Sequence, residues 1–248
     1  MKSFLKTICL SAFLLVFVAT SYSQGGTVTL QQDNSPTITF FLVPHFNPLF
    51  GLGYVNPDKS LLEVAEGSQY FDEEFKELKT APSAGKVKAR YNAFFDEMEI
   101  KKDEEQGWIN KYRHRDKIIF AEDGKAFKIL DADSRPDKNA LGYFEVLLEN
   151  NRVSLYKKNI KKLSVGLENS PYMIPVPEVI TEFQDEKTEY YIELGKNGNA
   201  LKLSRTRGGV AKLFGEKRDI VKNYMKENKL KVTIDEDLIK IITYVNSL

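Results

Sequence analysis

Across 86–158 the chain is a series of short segments in which apolar and polar residues alternate. In 86–93 the apolar residues share one parity, as in a strand that buries one face. After Phe94-Phe95 the apolar residues change parity. A tight turn or a bulge at Asp96-Glu97 accounts for this change, because a slip of one residue exchanges the two faces of a strand. The pattern predicts a β-rich scaffold.

Three pairs of these segments are separated by turn-forming residues and therefore predict β-hairpins. The first pair flanks Asp123-Gly124, a dipeptide favoured where a tight turn needs positive φ. The second pair flanks Asn150-Asn151 and the third flanks 195–199, which contains two glycines. Successive hairpins predict an antiparallel meander that closes as a barrel or folds as a sandwich. The proline-rich stretch 170–177 is predicted to be an extended connector outside any central strand.

The stretch before the first hairpin is less regular. The segment 37–43 predicts a strand, because it is rich in β-branched and aromatic residues. The segment 59–65 is compatible with a short strand or a helical turn. In 71–78 an acidic start and apolar residues at helical spacing favour one or two helical turns, with a strand as the alternative.

The C-terminal part of the chain has a helical period. Apolar residues recur at helical spacing within 210–225 and again within 238–245. Thr233 and Glu236 match a capping box at the start of the last helix. A stripe this broad must be buried, so two or three amphipathic helices are expected to pack on the β-domain. The predicted fold class is α+β, mainly β.

The first residues have the organisation of a signal peptide. A short basic region precedes an apolar core over 8–18, which is too short for a membrane span of roughly 20 residues. Ser21 and Ser23 occupy the −3 and −1 positions of a cleavage site. We predict a signal peptide at 1–23 and a flexible N-terminus at 24–35, with retention as an N-terminal anchor as the alternative. A single β-rich domain then covers 36–248, with a helical subdomain at about 207–248.

Composition narrows the range of functions. The only cysteine lies inside the predicted signal peptide, so the mature chain has no disulfide and depends on its core for stability. No later apolar run is long enough to form a transmembrane segment. With 36 basic and 35 acidic residues the formal net charge is +1. Nucleic-acid binding is therefore not expected, because it depends on neutralising phosphates.

The motifs for metal binding and catalysis are incomplete. His45 and His114 fall short of the roughly four nitrogen or sulfur ligands that a structural zinc needs. The stretch 131–137 has alternating acids, as in a calcium loop, but it lacks the required glycine and carries Arg135 at a ligand position. The stretch 205–209 leads into a helix whose N-terminus could hold an anion, although a basic sheet-to-helix junction is the simpler interpretation. We expect no metal and no cofactor.

No set of catalytic residues can be assembled from the sequence. Paired carboxylates of the glycosidase kind are conceivable, but 35 acidic residues without geometry do not single out a pair. Asp96, Glu97 and Glu99 are predicted to lie on the outward face and the turn of the meander. The prediction is therefore of a protein without catalytic activity.

One loop is a candidate partner surface. The stretch 44–57 combines prolines and glycines with large apolar side chains. It could be an ordered loop packed over one end of the core, or an exposed aromatic lip that contacts a ligand or partner. The residues of this possible partner surface are His45, Phe46, Phe50 and Tyr54.

Several segments also follow an order and spacing found elsewhere. They are 67–70 with 75–76, 90–92 with 96–99, 142–147, 155–158 and the helical tail from 223 to 244. Over about two thirds of the chain they resemble an uncharacterised family of secreted β-rich proteins of Gram-negative bacteria. The resemblance implies export to the periplasm or outer cell envelope and a shared scaffold. It carries over no active site.

These observations lead to one functional prediction and one alternative. The prediction is an exported, non-catalytic cell-envelope protein that binds a protein, glycan or lipid partner. It rests on the clear pattern of a β-rich scaffold and on the abundance of aromatic residues, with 12 Tyr and 16 Phe. It also rests on the sequence analysis above, which identifies no set of catalytic residues. The alternative is an envelope hydrolase that uses Asp or Glu in acid–base chemistry, which would require carboxylates converging in a cleft.

Overall fold

The computed structural model describes residues 27–30, 38–41, 59–79, 86–112, 117–132, 141–168 and 178–248. These described residues are mainly β, with 42% strand and 23% helix, which confirms the predicted class. The helices are α1 (Lys59–Val64), α2 (Arg207–Lys212), α3 (Arg218–Glu227) and α4 (Asp235–Ser247). The strands are β1 (Thr27–Leu30), β2 (Ile38–Phe41), β3 (Lys76–Glu77), β4 (Lys88–Asn92), β5 (Glu97–Lys102), β6 (Glu105–Trp108), β7 (Ile118–Ile119), β8 (Ala126–Ala132), β9 (Leu141–Leu148), β10 (Val153–Lys158), β11 (Lys161–Glu168), β12 (Glu178–Asp185), β13 (Glu189–Leu194) and β14 (Asn199–Lys202).

Five strands close into a barrel in the order β8, β9, β10, β13 and β14. Neighbours are antiparallel around the ring, except that Asn199-Ala200 of β14 pairs in parallel with Asp131-Ala132 of β8. A parallel pair is unavoidable here, because five strands of alternating direction bring the first and the last into the same direction. The structure therefore selects the barrel over the sandwich. The antiparallel meander is confirmed only in part, since β11 and β12 interrupt it.

The three predicted hairpins are present, and their turn residues explain them. Gly124 lies between β7 and β8 with φ of 68°, and Gly195 and Gly198 lie between β13 and β14 with φ of 73° and 80°. These are left-handed conformations that glycine adopts without a steric penalty. Between β9 and β10 the side-chain oxygen of Asn150 accepts a hydrogen bond from the backbone N–H of Arg152 at 3.0 Å. Such a bond closes the turn locally.

A second sheet, in the order β3, β4, β5 and β6, packs against β7, β8 and β9. The predicted tight turn at Asp96-Glu97 joins β4 to β5, and Asp96 has φ of 56°. This turn reverses the chain and exchanges the faces of the two strands. The shared core of the two sheets consists of Leu78, Val87, Ala89, Met98, Ile100, Ile109, Ile118, Phe120, Phe127, Ile129, Leu141 and Tyr143.

The stretch before this sheet differs from several expectations. Part of the predicted flexible N-terminus 24–35 forms β1, which pairs with β2, because Thr27-Val-Thr-Leu30 is β-branched and extended like its partner. The ambiguous segment 59–65 contains α1. In 71–78 the helical prediction is wrong, since β3 pairs with β4 there. The predicted signal peptide 1–23 lies outside the described residues. Within the described residues, no helix is long and apolar enough to cross a membrane.

The predicted C-terminal helices pack on the outside of the barrel. Asn246 of α4 binds both backbone groups of Val153 on β10, at 3.0 Å to the nitrogen and 2.8 Å to the oxygen. The predicted capping box is wrong, because α4 begins one residue later and Glu236 occupies its second position. Instead, the three acidic residues in its first turn stabilise α4, because their negative charges interact favourably with the positive end of the helix dipole. The core beneath the helices includes Leu155, Ile192, Val210, Val221, Met225, Leu238, Ile241, Ile242 and Val245.

Two adjacent glycines in α2 provide a matched test of this packing. A Cβ at Gly209 would overlap the side chain of Ser204, whereas a Cβ at Gly208 would meet nothing within 4 Å. We expect Gly209→Ala to lower the free energy of unfolding by roughly 1–3 kcal/mol through overpacking. Gly208→Ala should leave it unchanged or raise it by up to about 1 kcal/mol through helix propensity. Urea unfolding of both variants measures the difference, and equal effects would contradict the close approach of Ser204 to α2.

Candidate functional site

A cleft opens where the barrel meets the helical subdomain. Its volume is about 330 Å³, and it lies between the turn that leads into β13 with the start of that strand, the end of β14 and the segment that leads into α4. We call it the rim cleft. Its charged side chains are Glu186, Lys187, Glu189, Lys202 and Arg205, and its hydroxyl side chains include Thr188, Tyr190, Ser204 and Thr233. This volume is at the small end of the roughly 300–1,000 Å³ typical of small-molecule sites.

Both carboxylates of the rim cleft are bound to lysines. The carboxylate of Glu186 lies 2.9 Å from Nζ of Lys162, which holds the pKa of Glu186 below its usual value. Burial raises the pKa of Glu189, but hydrogen bonds from Lys202 and Tyr191 outweigh burial and lower the pKa overall. The Tyr191 hydroxyl donates to Glu189 at 2.6 Å. Both groups therefore stay ionised at neutral pH.

The rim cleft carries an excess of positive charge. One guanidinium nitrogen of Arg205 donates to the backbone carbonyl of Thr188 at 3.1 Å, and this bond orients the group. Lys187 also contributes its ammonium group to the lining. The three cations of the lining outnumber its two carboxylates, and Glu186 also binds Lys162 from outside the lining, so positive charge remains in excess. A planar guanidinium and an ammonium together suit a carboxylate or phosphate group.

One wall of the rim cleft is fixed by contacts between β13 and the first turn of α4. The hydroxyl of Tyr190 donates to Asp235 at 2.5 Å, and Nζ of Lys157 lies 2.7 Å from the same carboxylate. Burial and the Asp235 carboxylate both raise the pKa of Tyr190 well above its usual value. The phenol therefore remains protonated, and its hydrogen bond holds the helical subdomain in place beside the cleft.

A second group of charged residues is enclosed between the two sheets. We call Asp96, Glu97, Lys111 and Lys158 the buried charge cluster. Nζ of Lys158 lies 2.8 Å from Oδ1 of Asp96, and Nζ of Lys111 lies 3.0 Å from Oε1 of Glu97. The side chains of the four residues are 3–13% exposed. The predicted outward position of Asp96 and Glu97 is therefore wrong, because the turn between β4 and β5 points into the protein, where two lysines meet it.

Glu97 is the member of this cluster whose titration falls near neutrality. Burial of its carboxyl group raises its pKa to about 7, against the opposing effect of the Lys111 ammonium. The nearby Asp96 carboxylate raises it further. Tyr143, which is fully buried beside the cluster, has a pKa raised well above its usual value, chiefly by burial. The cluster thus contains a carboxyl group that can exchange protons at physiological pH.

This pKa gives a signed prediction for stability. Because the folded protein holds the Glu97 proton up to pH of about 7 and the unfolded chain releases it near pH 4.5, the free energy of unfolding should fall as the pH rises between these values. The Glu97 contribution is on the order of 3 kcal/mol at most. In Glu97→Gln this slope should be lost, whereas Glu105→Gln, at an exposed position, should keep it. Urea unfolding at pH 5, 6, 7 and 8 measures the slopes, and parallel curves for wild type and Glu97→Gln would refute the assignment.

Glu99, also predicted to point outward, is bound in a third network. It accepts hydrogen bonds from Tyr70 at 2.7 Å, Arg90 at 2.8 Å and Asn92 at 2.9 Å. The guanidinium of Arg90 lies over the rings of Tyr70 and Phe75, 4.0 and 4.4 Å from their centres. In this structure these residues hold 69–75 against β4 and β5, so their role is structural.

Few of the functional residues predicted from the sequence lie in the rim cleft. The possible partner surface of His45, Phe46, Phe50 and Tyr54 lies outside the described residues, and so does His114. Among the residues that the structure describes, no group of three His, Cys, Asp or Glu side chains could hold a metal. Of the rim cleft, only Arg205 lies in a stretch that the sequence marks for anion binding. No protein-family model, no curated protein and no solved structure matches this chain.

Proposed function

We propose that this chain is an exported, non-catalytic binding protein of the Gram-negative cell envelope, and that the rim cleft holds an acidic sugar of a glycan. The observation that carries the proposal is the lining of the cleft. The cations of the lining, which include Arg205 and Lys187, outnumber the carboxylates of Glu186 and Glu189, so the cleft keeps an excess of positive charge. Hydroxyl groups beside them provide the hydrogen bonds that a sugar needs. Export rests on the signal-peptide pattern at 1–23.

The size and polarity of the cleft favour a sugar over the other partner classes. A volume of about 330 Å³ suits a single sugar ring, whereas a protein partner would need a much larger surface. A lipid tail would need a continuous apolar channel, whereas charged and hydroxyl side chains interrupt the apolar surface that Ile160, Leu203 and Val232 provide here.

The same geometry argues against the alternative of an acid–base hydrolase. A glycosidase needs one carboxylic acid with a raised pKa next to the bond that breaks. Glu186 and Glu189 have lowered pKa values and are bound to lysines. Glu97 has the raised pKa that an acid requires, but it does not line the rim cleft. The cleft is therefore equipped to bind and not to donate a proton.

Calorimetric titration with acidic and neutral sugars tests the proposal. We expect a uronic acid or a uronate-terminated oligosaccharide to bind, and its neutral counterpart to bind at least about tenfold more weakly, since a hydrogen-bonded charge contributes roughly 1.5–3 kcal/mol. Arg205→Gln should weaken binding by a similar factor. Lys212→Gln removes an exposed positive charge of α2 outside the cleft, and it should leave affinity unchanged.

Two outcomes would overturn this assignment. Equal affinity for acidic and neutral sugars would show that the positive charge of the cleft does not select the ligand. Turnover of a glycan or ester substrate that is abolished by Glu186→Gln or Glu189→Gln would instead establish the hydrolase.

A further inference from the structure

We propose that Lys158 and Asp96 become joined by an intramolecular amide bond between Nζ of the lysine and Cγ of the aspartate. The two groups are already in contact, with Nζ 2.8 Å from Oδ1. Their side chains are only 3% and 13% exposed, so little water competes with the reaction or stabilises the separate ions. Amide formation replaces a buried cation and a buried anion with a neutral group.

The reaction needs no external reagent. The ammonium of Lys158 loses protons and its nitrogen attacks Cγ of Asp96, so that a C–N bond forms and one C–O bond breaks. The oxygen that departs leaves as water and carries two of the three protons that began on Nζ. The ammonium and the carboxylate together therefore contain every atom of the amide and the water. No atom is oxidised or reduced.

The surroundings of Asp96 prepare its carboxyl group for attack. Oδ1 also accepts a hydrogen bond from the Tyr91 hydroxyl at 2.7 Å and another from the backbone N–H of Tyr143 at 3.2 Å. Donors fixed in this way stabilise the negative charge that develops on an oxygen during acyl transfer. The oxygen that leaves is then Oδ2. The ring of Phe144, whose centre is 4.6 Å from Nζ of Lys158, helps to shield the reacting atoms from water.

Glu97 is placed to carry protons between the reacting groups. It follows Asp96 directly in the chain, and its carboxyl group interacts electrostatically with both Asp96 and Lys158. Lys111 fixes its position by binding Oε1 of Glu97 at 3.0 Å and the backbone carbonyl of Asp96 at 3.1 Å. With its pKa raised to about 7, this carboxyl group can accept a proton from nitrogen and return one to the leaving oxygen at neutral pH.

The bond would connect two parts of the fold that are otherwise held together by packing and hydrogen bonds. Lys158 ends β10 of the barrel, and Asp96 lies in the turn between β4 and β5 of the second sheet. The single cysteine, Cys9, lies in the predicted signal peptide, so an exported form of this protein has no disulfide. A covalent link between these positions would restrict the unfolded chain as a disulfide does.

Peptide mapping of the purified full chain tests the proposal directly. Trypsin cleaves after Arg90, Lys101, Lys157 and Lys161, but it does not cleave after a lysine whose side chain is an amide. We expect one branched peptide in which 91–101 and 158–161 are joined, with a mass one water below the sum of its parts. After allowance for the substitution itself, intact Lys158→Arg should be heavier than wild type by one water. In Glu97→Gln the branched peptide should form more slowly.

Separate, unmodified peptides from the wild type would overturn the proposal and leave an ordinary ion pair. A peptide 91–101 that has lost water without being branched would also overturn it, since it would show a cyclic imide at Asp96. If the branched peptide formed at equal rates in wild type and Glu97→Gln, the bond itself would be established, but Glu97 would have no role in proton transfer.

Discussion

Replacing Lys128 with Met should lower the free energy of unfolding by about 3–5 kcal/mol, because it leaves a buried carboxylate without its cation. That carboxylate belongs to Glu193, which is 0% exposed inside the barrel. Nζ of Lys128 lies 2.8 Å from it, the Tyr156 hydroxyl donates to it at 2.6 Å, and the backbone N–H of Gly198 donates at 2.7 Å. Glu193 thus ties β8, β10 and the β13–β14 turn together.

The pH dependence of this loss identifies its cause. In the wild type, burial raises the pKa of Glu193, but its hydrogen-bond partners outweigh burial and lower the pKa overall, so the contribution to stability is lost as the pH falls. Without Lys128, burial becomes the dominant effect and raises the pKa of Glu193 in the folded protein. The carboxyl group then takes up a proton as the pH falls, so the variant regains stability relative to the wild type. The difference between the two proteins should therefore shrink from pH 7 to pH 4.

An exposed ion pair supplies the matched control. Lys162 binds Glu186 with side chains that are 50% and 41% exposed, so Lys162→Met should leave the free energy of unfolding almost unchanged. Urea unfolding at both pH values measures all three proteins. A Lys128→Met loss as small as that of Lys162→Met would show that Glu193 reaches water in the folded protein.

The sequence predicts the parts of this fold that are encoded locally. Gly124, Gly195 and Gly198 adopt the positive φ that two of the turns require, and Asn150 closes the third turn, so the three hairpins could be predicted from neighbouring residues alone. The C-terminal helices could be predicted because Val221, Met225 and the apolar residues of α4 repeat at 3.6 residues and are buried as the pattern requires.

The features that could not be predicted depend on contacts between distant segments. The hairpin of β11 and β12 pairs 161–168 with 178–185 across the proline-rich connector, whose prolines dominate the local pattern. The parallel closure of β14 on β8 follows only from the number of strands in the ring. From the sequence alone, Asp96 and Glu97 are predicted to lie on the surface, because charged residues usually do. Only the fold places Lys158 next to Asp96 and Lys111 next to Glu97.

The rim cleft could not be predicted from the sequence for the same reason. Its lining comes from the ends of two strands and from the segment before α4, and none of these is distinctive in sequence. Arg205 is the one residue with a local signal, since it lies beside Thr206, whose side chain caps α2 by accepting a hydrogen bond from Gly209 at 3.1 Å. That signal describes the start of a helix. The positive charge of the cleft depends on the fold, which brings Lys187, Lys202 and Arg205 into one lining.

Replacing Ile241 with Ala should lower the free energy of unfolding by about 2–5 kcal/mol, because it opens a cavity between α4 and the barrel. Ile241 is 0% exposed and belongs to the core that α2, α3 and α4 share with Leu155 and Ile192 of the barrel strands. Ile220→Ala is the matched control, since Ile220 lies on α3 and is 49% exposed. Its loss of apolar contact is small and is offset in part by the higher helix propensity of Ala, so its effect should stay within about 0.5 kcal/mol.

The shape of the unfolding curve decides whether the helical subdomain is an independent unit. The hydrogen bonds of Asn246 to Val153 and of Tyr190 to Asp235, together with the shared core, make the helices and the barrel one cooperative structure. Ile241→Ala should therefore shift a single urea transition to lower concentration without changing its slope. A variant that unfolds in two steps, with helix signal lost before barrel signal, would show that the helices can detach while the barrel remains folded, and the wall of the rim cleft would then be a movable one.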